Sequence, residues 1–208
     1  MLKAFAKACG SYKSTESGYP FEALITLTGA PYSSIRLDAS AAKGKKQREK
    51  LANLWSQLKL NDDKGYLQTA STPGEDTLTI GGDRGAGEGA GLVPGHAYAL
   101  IQVKETTHGH RLVQLRNPWG RDGMEWTGAW SDSDPRWTPE LRQELHYVVD
   151  DGDGLFWMDF GDFAAHFDSV DCSMIKHSRN GTHWFESRER ITFKVTFRPV
   201  SSFSSGTA

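Results

Sequence analysis

His96-Ala97-Tyr98-Ala99-Leu100-Ile101-Gln102-Val103-Lys104, the polar hexapeptide Glu105-Thr106-Thr107-His108-Gly109-His110, and Arg111-Leu112-Val113-Gln114-Leu115-Arg116 read as strand, turn and strand. The flanks are rich in apolar and β-branched residues, and the joint holds a glycine among polar side chains, so the segment predicts an antiparallel hairpin. Asn117-Pro118-Trp119-Gly120 closes it abruptly. Proline has no N–H to give a ladder, and the residue before it is restricted to extended backbone.

A turn centred near Thr106 to His108 sets opposite each other those residues whose numbers total about 213 to 215, and His96 and Asn117 meet that condition. An imidazole beside a carboxamide at the open end of a hairpin is the support half of a Cys-His-Asn site. Such a histidine takes the proton from a thiol, carries the resulting charge, and keeps one ring orientation through acyl transfer. From pairing alone the plainer reading wins: a lone His and Asn on a hairpin are structural, or merely exposed. The wording around them is more specific.

Outward from the hairpin, Leu2 to Cys9 carries Leu2, Phe5 and Ala6 at helical spacing with Gly10 as a stop, which predicts a short helix. Phe21 to Leu27, closed by Thr28-Gly29-Ala30-Pro31, fits a helical turn or a strand. Between Ser40 and Leu60, Leu51, Leu54, Trp55 and Leu58 follow a basic run at i, i+3, i+4, i+7 spacing and predict an amphipathic helix with a solvated basic face. Gly81 to Gly91 holds six glycines without the Gly-Lys-Ser/Thr ending of a phosphate loop, so it reads as a connection. Past Trp126, Trp130 and Trp137, a short helix is predicted over Pro139 to His146 and an acidic loop over Asp150 to Gly154. A buried strand at Phe156-Trp157-Met158 and a helix turn over Gly161 to Phe167 follow, with an alternating strand over Arg190 to Arg198.

The 208 residues, 38% hydrophobic and 24% charged, suit one globular domain with a piece of a second, and a net charge of −2 gives no electrostatic case for a nucleic-acid or anionic-membrane partner. No apolar run approaches the roughly 20 residues needed to cross a bilayer. Two cysteines, Cys9 and Cys172, are too few for a disulfide scaffold and point to a reducing, cytoplasmic setting.

Gly91-Leu92-Val93-Pro94-Gly95-His96-Ala97-Tyr98 and Leu115-Arg116-Asn117-Pro118-Trp119-Gly120 resemble the histidine and asparagine signatures of the calpain family of cysteine proteases. The resemblance extends through Glu125-Trp126-Thr127-Gly128-Ala129-Trp130-Ser131-Asp132 and Phe156-Trp157-Met158 to His166-Phe167, and back to Lys3-Ala4-Phe5-Ala6-Lys7 and Gly10-Ser11-Tyr12. It implies an α+β fold, the papain-like right-hand lobe with a twisted antiparallel sheet and flanking helices. It also implies residues 1–175 as the second subdomain of the protease core, His96 as general base and acid, Asn117 as its orienting partner, and Trp119 beside the cleft. Residues 176–200 resemble the start of a following β-sandwich domain, cut short, and 201–208 read as a disordered tail.

In the family the nucleophile precedes this region in a Gln-Gly-x-x-Gly-Asp-Cys-Trp context, where a helix N-terminus and the histidine lower the thiol pKa. That string is not in this sequence, and both cysteines read as buried thiols and not as the nucleophile. The resemblance therefore implies part of a calcium-dependent endopeptidase acting on intracellular protein substrates. Its partner would be a cysteine-containing first subdomain, normally in the same polypeptide, and this chain alone would be inactive. The other reading is a non-catalytic calpain-like binding or regulatory module. Calcium, a hard cation that takes oxygen ligands, is implied at Glu125 and Asp132 of one loop and at Asp153 of a second. Asp151 is a neighbour of that second loop, Leu155 stands where a further acid is expected, and Arg121-Asp122-Gly123-Met124 lengthens the turn.

Overall fold

The computed structural model describes residues 2–15, 17–37, 44–75, 90–120, 124–148 and 153–175. The expected strand over Arg190 to Arg198, the truncated domain at 176–200, the tail at 201–208, Asp151 and nearly all of the glycine-rich stretch lie outside them.

In chain order the elements are α1 (Leu2–Ala8), a 3-10 turn (Lys13–Thr15), α2 (Pro20–Thr28), β1 (Tyr32–Arg36), α3 (Lys45–Asp63), β2 (Leu67–Ser71), β3 (Ala97–Glu105) and β4 (Arg111–Arg116). After these come α4 (Pro139–Glu144), β5 (Leu155–Asp159), α5 (Phe160–His166) and β6 (Ser169–Ser173). The strands form one open antiparallel sheet in the order β1-β6-β2-β3-β4-β5 with helices beside it, the α+β architecture expected of a papain-like lobe.

The ambiguous segment before Pro31 is a helix. Proline at its first turn needs no hydrogen-bonded N–H, and Gly29, at φ +64°, ends it by donating its N–H to the Ile25 carbonyl. The amphipathic reading of α3 also holds: Trp55 and Leu58 are buried, Leu51 and Leu54 pack on the core, and Lys45, Lys46, Arg48 and Lys50 are exposed. Buried Asn61 at its far end donates to Gln68, which in turn donates to the Leu58 carbonyl, so α3 is tied to β2.

Strand β4 is buried along both faces because two separate cores meet on it. Val113 and Leu115 join Trp55, Leu58, Tyr98, Leu100, Phe156, Met158, Phe163 and Phe167 on one side. Leu112 and Trp157 join Trp130, Trp137, Leu141, Leu145 and Tyr147 on the other. The aromatic stretch at 126–137 is thus core, with tryptophan rings edge-on to their neighbours. Among the described residues, no helix is long and apolar enough to cross a membrane.

Candidate active site

The β3–β4 hairpin forms as its sequence predicts, with Thr106 N–H donating to the His110 carbonyl and Gly109 N–H to the Thr106 carbonyl across the turn. A bulge at Ile101 shifts the register, and the ladder stops at the Ala99–Arg116 pair. His96 and Asn117 are therefore not cross-strand partners; continuing that register would set Asn117 against Tyr98. They meet through their side chains, because each backbone is turned and held by a different neighbour.

Asn117 leaves the ladder with β4 and donates its N–H to the Gly154 carbonyl at 2.7 Å, at the foot of β5. The side chain is 1% exposed. Its Nδ2 donates to the Met124 carbonyl at 3.1 Å, and its Oδ1 accepts from the Trp119 N–H at 3.0 Å. A reversed amide would set N–H against N–H and oxygen against oxygen, so these two contacts fix its orientation. His96 Nε2 lies 3.0 Å from the same Oδ1. An amide oxygen can only accept, so Nε2 carries the hydrogen, and in the neutral ring the lone pair is on Nδ1. Asn117 thus selects the tautomer as well as the tilt.

Gly154 completes the seat. Its N–H donates to Glu125 Oε1 at 2.6 Å, so Asn117, Gly154, Glu125 and the Met124 carbonyl close a ring of contacts through both main chain and side chain. At φ +85° Gly154 occupies backbone that side chains disfavour, and a Cβ there would stand 2.7 Å from the Asn117 carbonyl oxygen.

The histidine has its own support. Buried Thr72, just beyond β2, donates its N–H to the His96 carbonyl at 3.0 Å and accepts the His96 N–H on its hydroxyl at 3.0 Å. That hydroxyl donates to the Val93 carbonyl at 2.6 Å, while Val93 N–H donates to the Tyr98 hydroxyl. The Tyr98 and Trp119 rings flank the imidazole at 5.1 and 4.3 Å between centroids. Trp119 is half-buried, with its ring against the imidazole and part of its surface open to solvent.

Both cysteines are free thiols. Cys9 is not the buried thiol its sequence setting suggested: α1 ends at Ala8, and Cys9 follows it exposed. Cys172 is buried in β6, between β1 and β2, where burial pushes its thiol up to about 11, the opposite of an activated nucleophile. It pairs with Gln68 of β2, four residues along from Thr72, which puts it roughly 13 Å from the histidine's level at a strand rise of about 3.3 Å.

The three acids matched to calcium are used as follows. Glu125 accepts from Gly154 N–H, and Asp153 accepts from Leu155 N–H at 2.6 Å, so their carboxylates engage consecutive amides. Asp132 is buried and accepts from the Tyr147 hydroxyl. Burial and that bond raise the Tyr147 pKa well above the ordinary phenol value. Among the described residues, no group of three or more His, Cys, Asp or Glu side chains is placed to hold a metal ion.

A sequence model of the calpain family of cysteine proteases matches residues 1–174. The chain belongs to the calpain family. Over 170 residues it is 40% identical to the calpain-type cysteine protease DEK1 of Arabidopsis thaliana, an alignment covering 81% of this chain and 7% of that protein. It is 38% identical to human calpain-14 over 79% of this chain and 22% of that protein, and 34% identical to mouse calpain-5 over 89% and 30%. The chain thus spans under a third of the length of each of these relatives, and family membership is what it shares with them. Thr72, Gly154 and the Met124 carbonyl are the supports that the sequence did not disclose. Gly154 had a visible signal, a glycine closing an acidic loop, whereas nothing in Ser71-Thr72-Pro73 pointed to the histidine.

Proposed function

We propose that this chain is the histidine- and asparagine-bearing subdomain of a calpain-type cysteine endopeptidase that makes limited cuts in intracellular proteins. The observation that carries the reading is the His96 Nε2 to Asn117 Oδ1 contact at 3.0 Å, with the amide oriented by Trp119 and Met124. It leaves Nδ1 as the basic nitrogen. A thiol brought to that nitrogen loses its proton to His96, and the thiolate attacks the peptide carbonyl. The imidazolium then returns the proton to the leaving amine, after which His96 activates the water that hydrolyses the thioester. Asn117 holds the ring through both half-reactions, and Trp119 shields the hydrogen bond from competing water. The thiol comes from a cysteine-bearing first subdomain, normally in the same polypeptide, and the cytoplasm is the compartment that two free thiols suit.

Calcium is a regulatory expectation on the same reading. The oxygen donors of Glu125 and Asp153 suit the ion, and both flank the Gly154 that seats Asn117. Asp132, bonded to Tyr147 in the aromatic core, fits that donor set poorly.

The second reading is a calpain-derived binding or regulatory module, and the observation it draws on is that buried Cys172, its thiol raised to about 11, is not an activated nucleophile. Peptide hydrolysis separates the two. The test compares this chain with a polypeptide extended upstream to include the cysteine subdomain, each with and without calcium. Hydrolysis by the extended form alone, abolished by His96→Ala, supports the protease; an inactive extended form carrying the Gln-Gly-x-x-Gly-Asp-Cys-Trp segment supports the module. Activity independent of calcium retires the calcium expectation.

A further inference from the structure

We infer that Thr72 is a positioning residue for His96, its hydroxyl replacing a main-chain acceptor so that the histidine loop is folded around one side-chain oxygen. The inference rests on the proposed protease reading for its catalytic meaning, and on hydrogen bonding alone for its geometry.

The β2–β3 ladder pairs Gln68 with Leu100, Ala70 with Tyr98 and Ser71 with Ala97. Continued by one residue, it sets Thr72 opposite His96. In a regular hydrogen-bonded antiparallel pair, the two residues exchange both N–H···O=C bonds. Here only one of the two is main chain: Thr72 N–H to the His96 carbonyl at 3.0 Å. The reciprocal bond from His96 N–H goes to Thr72 Oγ1, also at 3.0 Å.

The chain direction explains the exchange. Pro73 follows Thr72, and the Pro73 carbonyl instead accepts the Gly95 N–H at 3.0 Å, so β2 turns away from the ladder at this point. The hydroxyl fills the place so left. Its single proton goes to the Val93 carbonyl at 2.6 Å, closer than the 3.2 Å to the His96 carbonyl. One oxygen therefore joins Val93 to His96 across Pro94-Gly95 and fixes where the histidine's Cα stands relative to Asn117. All three residues are buried: Val93 is 0% exposed, Thr72 6% and His96 8%. Water is poorly placed to take over either bond.

The test uses three substitutions. Thr72→Val keeps the shape and removes the hydroxyl, Thr72→Ser keeps the hydroxyl, and Thr72→Ala serves if the valine variant fails to fold. The first readout is the two-bond ¹H–¹⁵N imidazole spectrum of the 208-residue chain. The wild type and Thr72→Ser show His96 as the Nε2–H tautomer, whereas Thr72→Val or Thr72→Ala shows a tautomer mixture.

The second readout is peptide hydrolysis by the extended polypeptide. Misplacing a reacting group by about 1 Å costs on the order of 10²-fold, so kcat falls by roughly 10- to 100-fold in Thr72→Val with KM little changed, and Thr72→Ser restores it. A Thr72→Val or Thr72→Ala chain that melts earlier but keeps the tautomer and kcat overturns the inference and leaves Thr72 a stability residue. If the extended wild type cleaves nothing, the protease reading fails, and the spectrum still decides whether Thr72 positions the ring. A wild-type spectrum without the Nε2–H form refutes both the Asn117 contact and the role of Thr72.

Discussion

Gly154→Ala tests whether the seat of Asn117 is rigid. Gly154 and Gly109 share nearly the same backbone, at φ +85° and +81°, but a Cβ at Gly109 meets nothing within 4 Å. A Cβ at Gly154 would stand 2.7 Å from the Asn117 carbonyl oxygen and 3.1 Å from Gly120 Cα. Both alanines incur left-handed strain of about 1–2 kcal/mol. Gly154→Ala must also displace main chain that carries two hydrogen bonds, Asn117 N–H to Gly154 and Gly154 N–H to the Glu125 carboxylate. A neutral bond contributes about 1 kcal/mol and one to a charged acceptor about 1.5–3 kcal/mol. Weakening both brings Gly154→Ala to about 3–5 kcal/mol, against about 1–2 for Gly109→Ala. At roughly 3 °C per kcal/mol for a domain of this size, the melting temperature drops by about 12 °C and about 5 °C respectively. Scanning calorimetry of the two variants beside wild type measures the gap. Equal shifts would show that the loop yields at Gly154 and that Asn117 is held by something other than this close approach.

Asn117→Ala removes the acceptor shared by His96 and Trp119, and kcat of the extended polypeptide should fall by on the order of 10²-fold, with His96 losing its single tautomer in the imidazole spectrum. Cys9 should react with a thiol reagent in the folded chain and Cys172 only after denaturation; two fast equivalents in native buffer would contradict the buried placement of Cys172. The Cys172 thiol is raised from 9.0 to about 11 on folding, so its contribution is full below pH 9 and is lost as pH climbs through about 11. Tyr147 is shifted in the same direction, so alkaline unfolding curves should flatten most in a Cys172→Ala, Tyr147→Phe double variant. Trp137→Phe should cost about 1 kcal/mol more than Trp157→Phe in urea titrations, because Trp137 Nε1 donates to the Ser131 carbonyl at 2.9 Å while Trp157 Nε1 has no hydrogen-bond acceptor among the described residues.

Much of the α and hairpin structure was legible because its causes are local. Helix α3 announces itself by apolar spacing, α4 by Thr138-Pro139, whose threonine hydroxyl accepts the Leu141 N–H, and the hairpin by its turn residues. The strands on the β1 side of the sheet were not legible. Tyr32-Ser33-Ser34-Ile35-Arg36, Leu67-Gln68-Thr69-Ala70-Ser71 and Ser169-Val170-Asp171-Cys172-Ser173 are short and polar, and β6 lies between the other two with Val170 to Ser173 all buried. Polar residues tolerate such burial once paired neighbours and packed helices enclose them, a condition of the assembled sheet that no single segment displays.

The candidate site divides along the same line. The strings around His96 and Asn117 were enough to name the family and both residues, because side-chain identity is written in the chain itself. That the two touch, which way the amide faces, and that Thr72, Met124 and Gly154 hold them there were decided by tertiary structure. Those contacts join residues 24, 7 and 37 positions apart. A hydrogen bond acts over about 3 Å of space and is indifferent to distance along the chain, so only the folded sheet, with its ladder broken at a bulge and at a proline, brings these groups into reach.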